Sequence, residues 1–154
     1  TTETLVKTGI QHIGENRVDK FLEKYQALKE YDLTWHLIGS LQRRKVKDVI
    51  NFVDYFHALD SVKLAQEIQK RAEHPIKCFL QVNISGEESK HGFKKEELLN
   101  FSDKLFFSNL NIIGLMTMAP NTGEDSIIRN TFRGLRELKD ELNHKIFCWL
   151  NICV

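Results

Sequence analysis

Apolar residues recur along this chain in two alternating rhythms, short strand-like runs and longer stretches at helical spacing. A short stretch over residues 2–8 ends at Gly9, a helix stop. Residues 10–13 read as a strand, and Val18, Phe21, Leu22, Tyr25 and Leu28 follow at helical spacing. Residues 34–38 are strand-like, with Val46, Val49, Ile50 and Val53 marking the next helix. Residues 55–59 make a third strand, followed by a helix carrying Val62, Leu64, Ile68 and Ala72, which Pro75 closes. Residues 76–84 form the most apolar strand, and Leu98, Phe101, Leu105 and Phe106 mark the helix after it. Residues 112–118 give a fifth strand. Ile127, Phe132, Leu135, Leu138 and Leu142 define a long last helix, and residues 146–154 are a final apolar run.

Five strand–helix units in succession predict a parallel sheet with helical crossovers. No low-complexity linker or composition shift interrupts residues 1–154, which are expected to be one domain. Periodicity leaves two α/β architectures open, a doubly wound sheet and a (β/α)8 barrel. A complete barrel typically takes about 200–250 residues, so five strands and a doubtful sixth mean a small open sheet or part of a barrel.

Composition narrows the function classes. A net charge of +1 provides no overall basic field for nucleic acid or an acidic membrane. No apolar run has membrane-spanning length. The three cysteines, Cys78, Cys148 and Cys153, lack CxxC spacing, which argues against a disulfide framework or zinc site and fits a reducing, cytoplasmic setting. The chain starts at Thr1 rather than Met, so a targeting segment upstream stays open. There is no Gly-rich dinucleotide fingerprint, Walker loop, HExxH or GxSxG motif.

The polar residues that need explaining fall at the C-terminal ends of the strands, where ligand sites form in parallel α/β folds. They are Gly14 to Arg17, Trp35 to Ser40, Leu59 to Ser61, Asn83 to Phe93 and Gly114 to Pro120. Each has a plainer reading. Asn16 and Asp60 suit helix N-caps. His36 suits a hydrogen-bonded buried histidine. One of Met116 and Met118 is expected to be simple core. Arg43, Arg44, Lys45 and Lys47 suit a solvated helix face, and the Asn83-Ile84-Ser85 sequon suits a chance match. Glu15 with Glu87 or Glu88 would make an acid–base pair only at a separation that the sequence does not fix.

At these strand ends the chain resembles the pyridoxal phosphate homeostasis family, itself similar to the barrel domain of alanine racemase. The matching stretches are HIGENRVDKF at residues 12–21, WHLIGSLQRRKVK at 35–47, FHALDS at 56–61, VNISGEESKHGF at 82–93 and GLMTMAP at 114–120. The resemblance runs over roughly residues 1–140 and favours the (β/α)8 barrel over the open sheet. It implies a single partial barrel domain, truncated at both ends, that binds pyridoxal 5′-phosphate and serves intracellular vitamin B6 homeostasis without catalytic turnover.

In the family a lysine of the first strand holds the cofactor as a Schiff base. That strand would lie upstream of Thr1, and Lys7 is not its lysine. The phosphate-binding turns of the seventh and eighth strands have no match in residues 144–154. Cofactor binding is therefore expected to be impaired in this form. Asn16 corresponds to the family asparagine near the cofactor ring. His36 and Met116 correspond to strand-end positions lining the pocket, and Lys90 is a loop amine that reads more simply as a surface residue. Pyridoxal phosphate or other B6 vitamers are the expected partners, with self-association through open sheet edges. Two other functions remain: an alanine-racemase-like isomerase, and a degenerate barrel acting only as an interaction surface.

Overall fold

The computed structural model describes residues 1–88, 91–101 and 107–145. A first helix, α1 (Thr2–Lys7), is capped by the Thr1 hydroxyl and ends before Gly9, whose φ of 101° suits a residue without Cβ. Then β1 (His12–Glu15), α2 (Val18–Leu28) and β2 (Thr34–Leu37) follow. The next crossover is a single-turn helix, α3 (Val46–Val49), flanked by 3-10 turns at Arg43–Lys45 and Ile50–Phe52. The remaining units are β3 (Tyr55–Leu59), α4 (Val62–Arg71), β4 (Ile76–Gln81), α5 (Lys95–Phe101), β5 (Leu110–Met116) and α6 (Asp125–Lys145).

All neighbouring strands are parallel, and their order in the sheet is their order in the chain. This succession is that of a (β/α)8 barrel wall and not of a doubly wound sheet, whose strand order reverses. Register shifts between Phe56 and Leu59 and between Cys78 and Phe79 interrupt the ladders. Such irregularities bend strands and strengthen their twist.

Strand alternation sorts the side chains onto two faces. One face buries Ile13, Trp35, Leu37, Phe56, Cys78 and Leu80 beneath the helices. Phe21 and Tyr25 of α2 meet Trp35 edge-on, with ring centroids 5.4 and 5.3 Å apart. Leu64, Ala65 and Ile68 of α4 and Leu135, Leu138 and Leu142 of α6 complete this core. The opposite, inner face carries His12, His36, Tyr55, His57, Lys77 and Phe79, linked by ring contacts.

Side-chain amides and one carboxylate tie together the segments that enter the strands. Asn51 Oδ1 accepts from the Glu73 amide at 2.9 Å, and Asp54 Oδ2 accepts from the Trp35 amide at 2.7 Å. Gln69 Oε1 accepts from the Asn109 amide at 2.8 Å, while Asn109 Nδ2 donates to the Ala72 carbonyl at 2.8 Å.

Several sequence expectations shift. The first strand covers His12–Glu15 rather than residues 10–13, and Ile10 is exposed. The third helix breaks into three short pieces. The fourth strand stops at Gln81, after which Val82 makes a single bridge to Phe93. The fifth strand is Leu110–Met116. Ile127 and Phe132 keep helical spacing on α6 but are exposed, because the buried stripe runs through Thr131, Leu135, Leu138 and Leu142. Leu105, Phe106 and the run over 146–154 lie outside the described residues.

Candidate functional site

The C-terminal ends of the strands form one rim. At its first station Asn16 follows β1 and is exposed. It is not a helix cap: the N-cap of α2 is Arg17, which makes no side-chain capping bond. The Asn16 amide is thus not used to satisfy the helix start. Its backbone is fixed from the side by Gly39, where an added Cβ would fall 2.7 Å from the Asn16 carbonyl carbon. No side chain fits there, and the two turns pack backbone to backbone. The Ile38 amide donates to the Glu15 carbonyl at 2.8 Å, extending the β1–β2 pairing up to this contact.

The third station also departs from expectation. Asp60 does not cap α4; Ser61 does, its hydroxyl accepting from the Leu64 amide at 3.2 Å. Asp60 therefore stands half-buried at the rim without a capping duty.

At the fourth station the chain leaves β4, makes a loop and returns. The Asn83 amide donates to the Phe93 carbonyl at 2.9 Å and the Phe93 amide donates to the Gln81 carbonyl at 2.8 Å. Gly92 permits this return, with a φ of 132° and its missing Cβ only 2.9 Å from the Asn83 nitrogen. Asn83 Nδ2 donates to the Glu87 carbonyl at 2.8 Å, and Asn83 Oδ1 accepts from the Gly86 amide at 3.1 Å. The sequon asparagine thus organises its own turn. Lys90 lies outside the described residues.

Between these stations is a pocket of about 270 Å³, lined by Ser40, Gln81, Asn83, His91, Met118 and Asn121 together with Val82 and Ala119. Amides and a hydroxyl stand beside apolar wall, an arrangement that orients a small ligand through a few placed polar groups. Ser40 and His91 fall within the strand-end segments that the sequence marks, whereas Asn121 lies one residue beyond the last of them.

His36 is on the inner face of β2, below the rim. Its Nε2 lies 2.9 Å from His12 Nδ1 and its Nδ1 lies 2.9 Å from His57 Nε2. It also stacks on Tyr55 at 4.5 Å between centroids. Burial, together with the neighbouring His57 and His12, holds the His36 imidazole below the ordinary histidine range, against a smaller opposing pull from Asp54. Burial lowers His57 as well.

Met116 ends β5 in register with Gln81 and is half-buried against the core, and Met118 is exposed at the pocket. Neither methionine is fully buried, because β5 ends at Met116 and the next residues turn outward into the rim. Asn16, His36 and Met116 do not line the pocket; Asn16 and His36 share the β1–β2 side, and Met116 is across the sheet on β5. Glu15 faces the helices and pairs with Lys24. Arg43 and Arg44 are exposed in a 3-10 turn, with Arg44 Nε donating to Gln42 at 2.8 Å, a solvated surface. Among the described residues no cluster of three or more metal-ligating side chains occurs, and no helix is long and apolar enough to cross a membrane.

The alanine racemase N-terminal domain family matches residues 1–151. A pyridoxal phosphate homeostasis protein of Aquifex aeolicus is 45% identical over 141 residues, covering 89% of this chain and 62% of the relative. One from a Synechocystis strain is 32% identical over 148 residues, covering 93% of this chain and 68% of the relative. Among solved structures, PipY of Synechococcus elongatus with pyridoxal phosphate bound superposes with a TM-score of 0.85 at 29% identity, covering 94% of this chain and 69% of that one. Alanine racemase of Clostridium difficile, 15% identical with a TM-score of 0.74, shares the fold. The chain spans about three fifths of the length of the first curated relatives it matches, 62% and 60%. The strand-end motifs, the parallel order of the strands and these similarities agree: the chain belongs to the alanine racemase N-terminal domain family and, within it, to the pyridoxal phosphate homeostasis proteins.

Proposed function

We propose that this chain binds pyridoxal 5′-phosphate at the rim and serves vitamin B6 homeostasis in the cytoplasm, as a binding protein and not an enzyme. In this reading residues 1–154 act as one partial barrel domain. The observation that carries it is the Asn16–Gly39 contact, which holds an uncommitted side-chain amide at the strand ends. The cofactor needs hydrogen-bond partners for its ring substituents, apolar wall for its ring, an anion site and an amine. In this reading Asn16 offers the hydrogen-bond partner and Met116 the apolar wall, while His36, its two ring nitrogens engaged by His12 and His57, backs the site from below the rim. Lys77, an inner-face amine, is at the opposite end of the strands, its Nζ donating to Tyr55 Oη at 3.1 Å. The described residues thus fit reversible, non-covalent holding of the ring. When bound, the cofactor contributes an electrophilic aldehyde; the chain's own residues orient it and limit its contact with water.

PipY with pyridoxal phosphate bound supports this reading, as do the relatives named for pyridoxal phosphate homeostasis. The experiment is a cofactor titration followed by absorbance and tryptophan fluorescence, with borohydride reduction and mass spectrometry on the saturated sample. Saturable one-to-one binding without a stoichiometric lysine adduct is expected. No saturable binding would leave the interaction-surface reading, and turnover of L- to D-alanine would replace it with the isomerase.

A further inference from the structure

Three histidines on three successive strands touch in a line across the inner face. His12 Nδ1 meets His36 Nε2 at 2.9 Å, and His36 Nδ1 meets His57 Nε2 at 2.9 Å. Both are hydrogen-bond distances, so each contact must contain one proton. The line climbs the sheet. His36 is in register with Gly14, two residues beyond His12, and His57 lies two residues beyond Tyr55, the register partner of His36.

Proton counting then restricts the charge that this line carries. A neutral imidazole has one N–H and one lone pair. With both nitrogens of His36 engaged, all three neutral rings must point in the same sense. An added proton can occupy the free nitrogen of the terminal ring, and both contacts survive. Any further proton must go to a nitrogen that is already accepting, and that contact is lost.

We propose that His12, His36 and His57 form a pH-sensitive latch joining β1 to β2 and β3, which admits one proton intact and opens when it takes a second. Among the described residues, the groups facing the latch are few. Tyr55 of β3 stacks on His36, Phe79 of β4 stacks on His57, and Lys77 of β4 reaches over Tyr55 with its Nζ 4.9 Å from the ring centroid. Asp54, before β3, is the acidic group acting on His36, and its carboxylate is engaged by the Trp35 amide. Phe79 offers no charge, and the Lys77 ammonium repels further protons. The surroundings do not stabilise a doubly charged line.

Burial holds His36 and His57 below the ordinary histidine range. Just below about pH 6.5 the unfolded chain therefore binds more protons than the folded one. The latch's contribution is complete above that pH and is lost as pH falls toward the folded values.

The test is imidazole nitrogen NMR with amide hydrogen exchange on the full chain, in chelating buffer, from about pH 8 to about pH 4.5. The line is expected to take up its first proton in a step separated from the later ones. The Ile38 amide, which bonds Glu15 across β1 and β2, should lose protection with the second proton, before the Ala72 amide, which bonds Ile68 at the end of α4, does. In the His12→Gln, His57→Gln double variant both amide oxygens can accept from a charged His36, and Ile38 should stay protected at least tenfold better in acid. Three rings titrating independently, or Ile38 and Ala72 losing protection together, would overturn the proposal. The wild-type titration decides it even where the double variant fails to fold.

Discussion

The backbone of Asn16 occupies the space that a side chain would need at Gly39: a Cβ added there would lie 2.7 Å from the Asn16 carbonyl carbon and 2.9 Å from its Cα. The β1 and β2 turns are locked together by the absence of one methyl group. Backbone atoms cannot swing aside as a flexible side chain does. Gly39→Ala should therefore displace the Asn16 turn, cost about 1–3 kcal/mol and weaken cofactor binding. Thermal melts and a cofactor titration check both parts.

Asn16 itself should separate binding from folding. Its side chain is exposed and caps no helix. Asn16→Ala is expected to leave the melt within about 0.5 kcal/mol of wild type. A lost hydrogen bond to a charged or strongly polar cofactor group should weaken binding about tenfold. A melt that drops along with binding would place Asn16 in the structure rather than the site.

The cap of α4 makes a contrasting pair. Ser61→Ala removes the hydroxyl that accepts from Leu64 and should cost about 1 kcal/mol. Asp60→Ala should cost much less, since the structure gives Asp60 no capping bond. Chemical denaturation of the two variants side by side reads this difference directly.

Cys78 should be inert in the folded chain. It is fully buried, and burial pushes its thiol up to about 12. The thiolate is the reactive form. In a Cys148→Ser, Cys153→Ser background, Cys78 should react with a thiol reagent only at the rate of unfolding. Fast labelling in native buffer would show that the β4 packing opens locally.

The strand–helix alternation was legible because each strand buries its outward side chains under a helix, and that burial writes itself into spacing. Trp35 and Leu37, or Phe56 and Ala58, stand out from the alternation of residue types alone. The strand-end motifs likewise marked the rim. Other features did not show. The Asn16–Gly39 contact joins residues that are distant in sequence, and a glycine gives no sign of what fills its empty side. Asp60 and Ser61 are adjacent and both are good caps, so only geometry chooses between them. The exposure of Ile127 and Phe132 came from the rotation of α6, since apolar residues spaced helically on two stripes fix no unique buried face. The histidine line was hidden for a related reason, because His12, His36 and His57 share no local motif and meet only when three strands stand in register.

The amide ties at the entering edge of the sheet have a consequence for how such a protein can change over evolutionary time. Asn51, Gln69 and Asn109 fasten the crossovers where the chain enters β3, β4 and β5. At the opposite edge the side chains of Asn16 and Asp60 make no capping bond. Substitutions there can alter what the rim grips while the foundations remain anchored. Inheritance can therefore experiment at one end of the strands because the other end keeps the architecture in place.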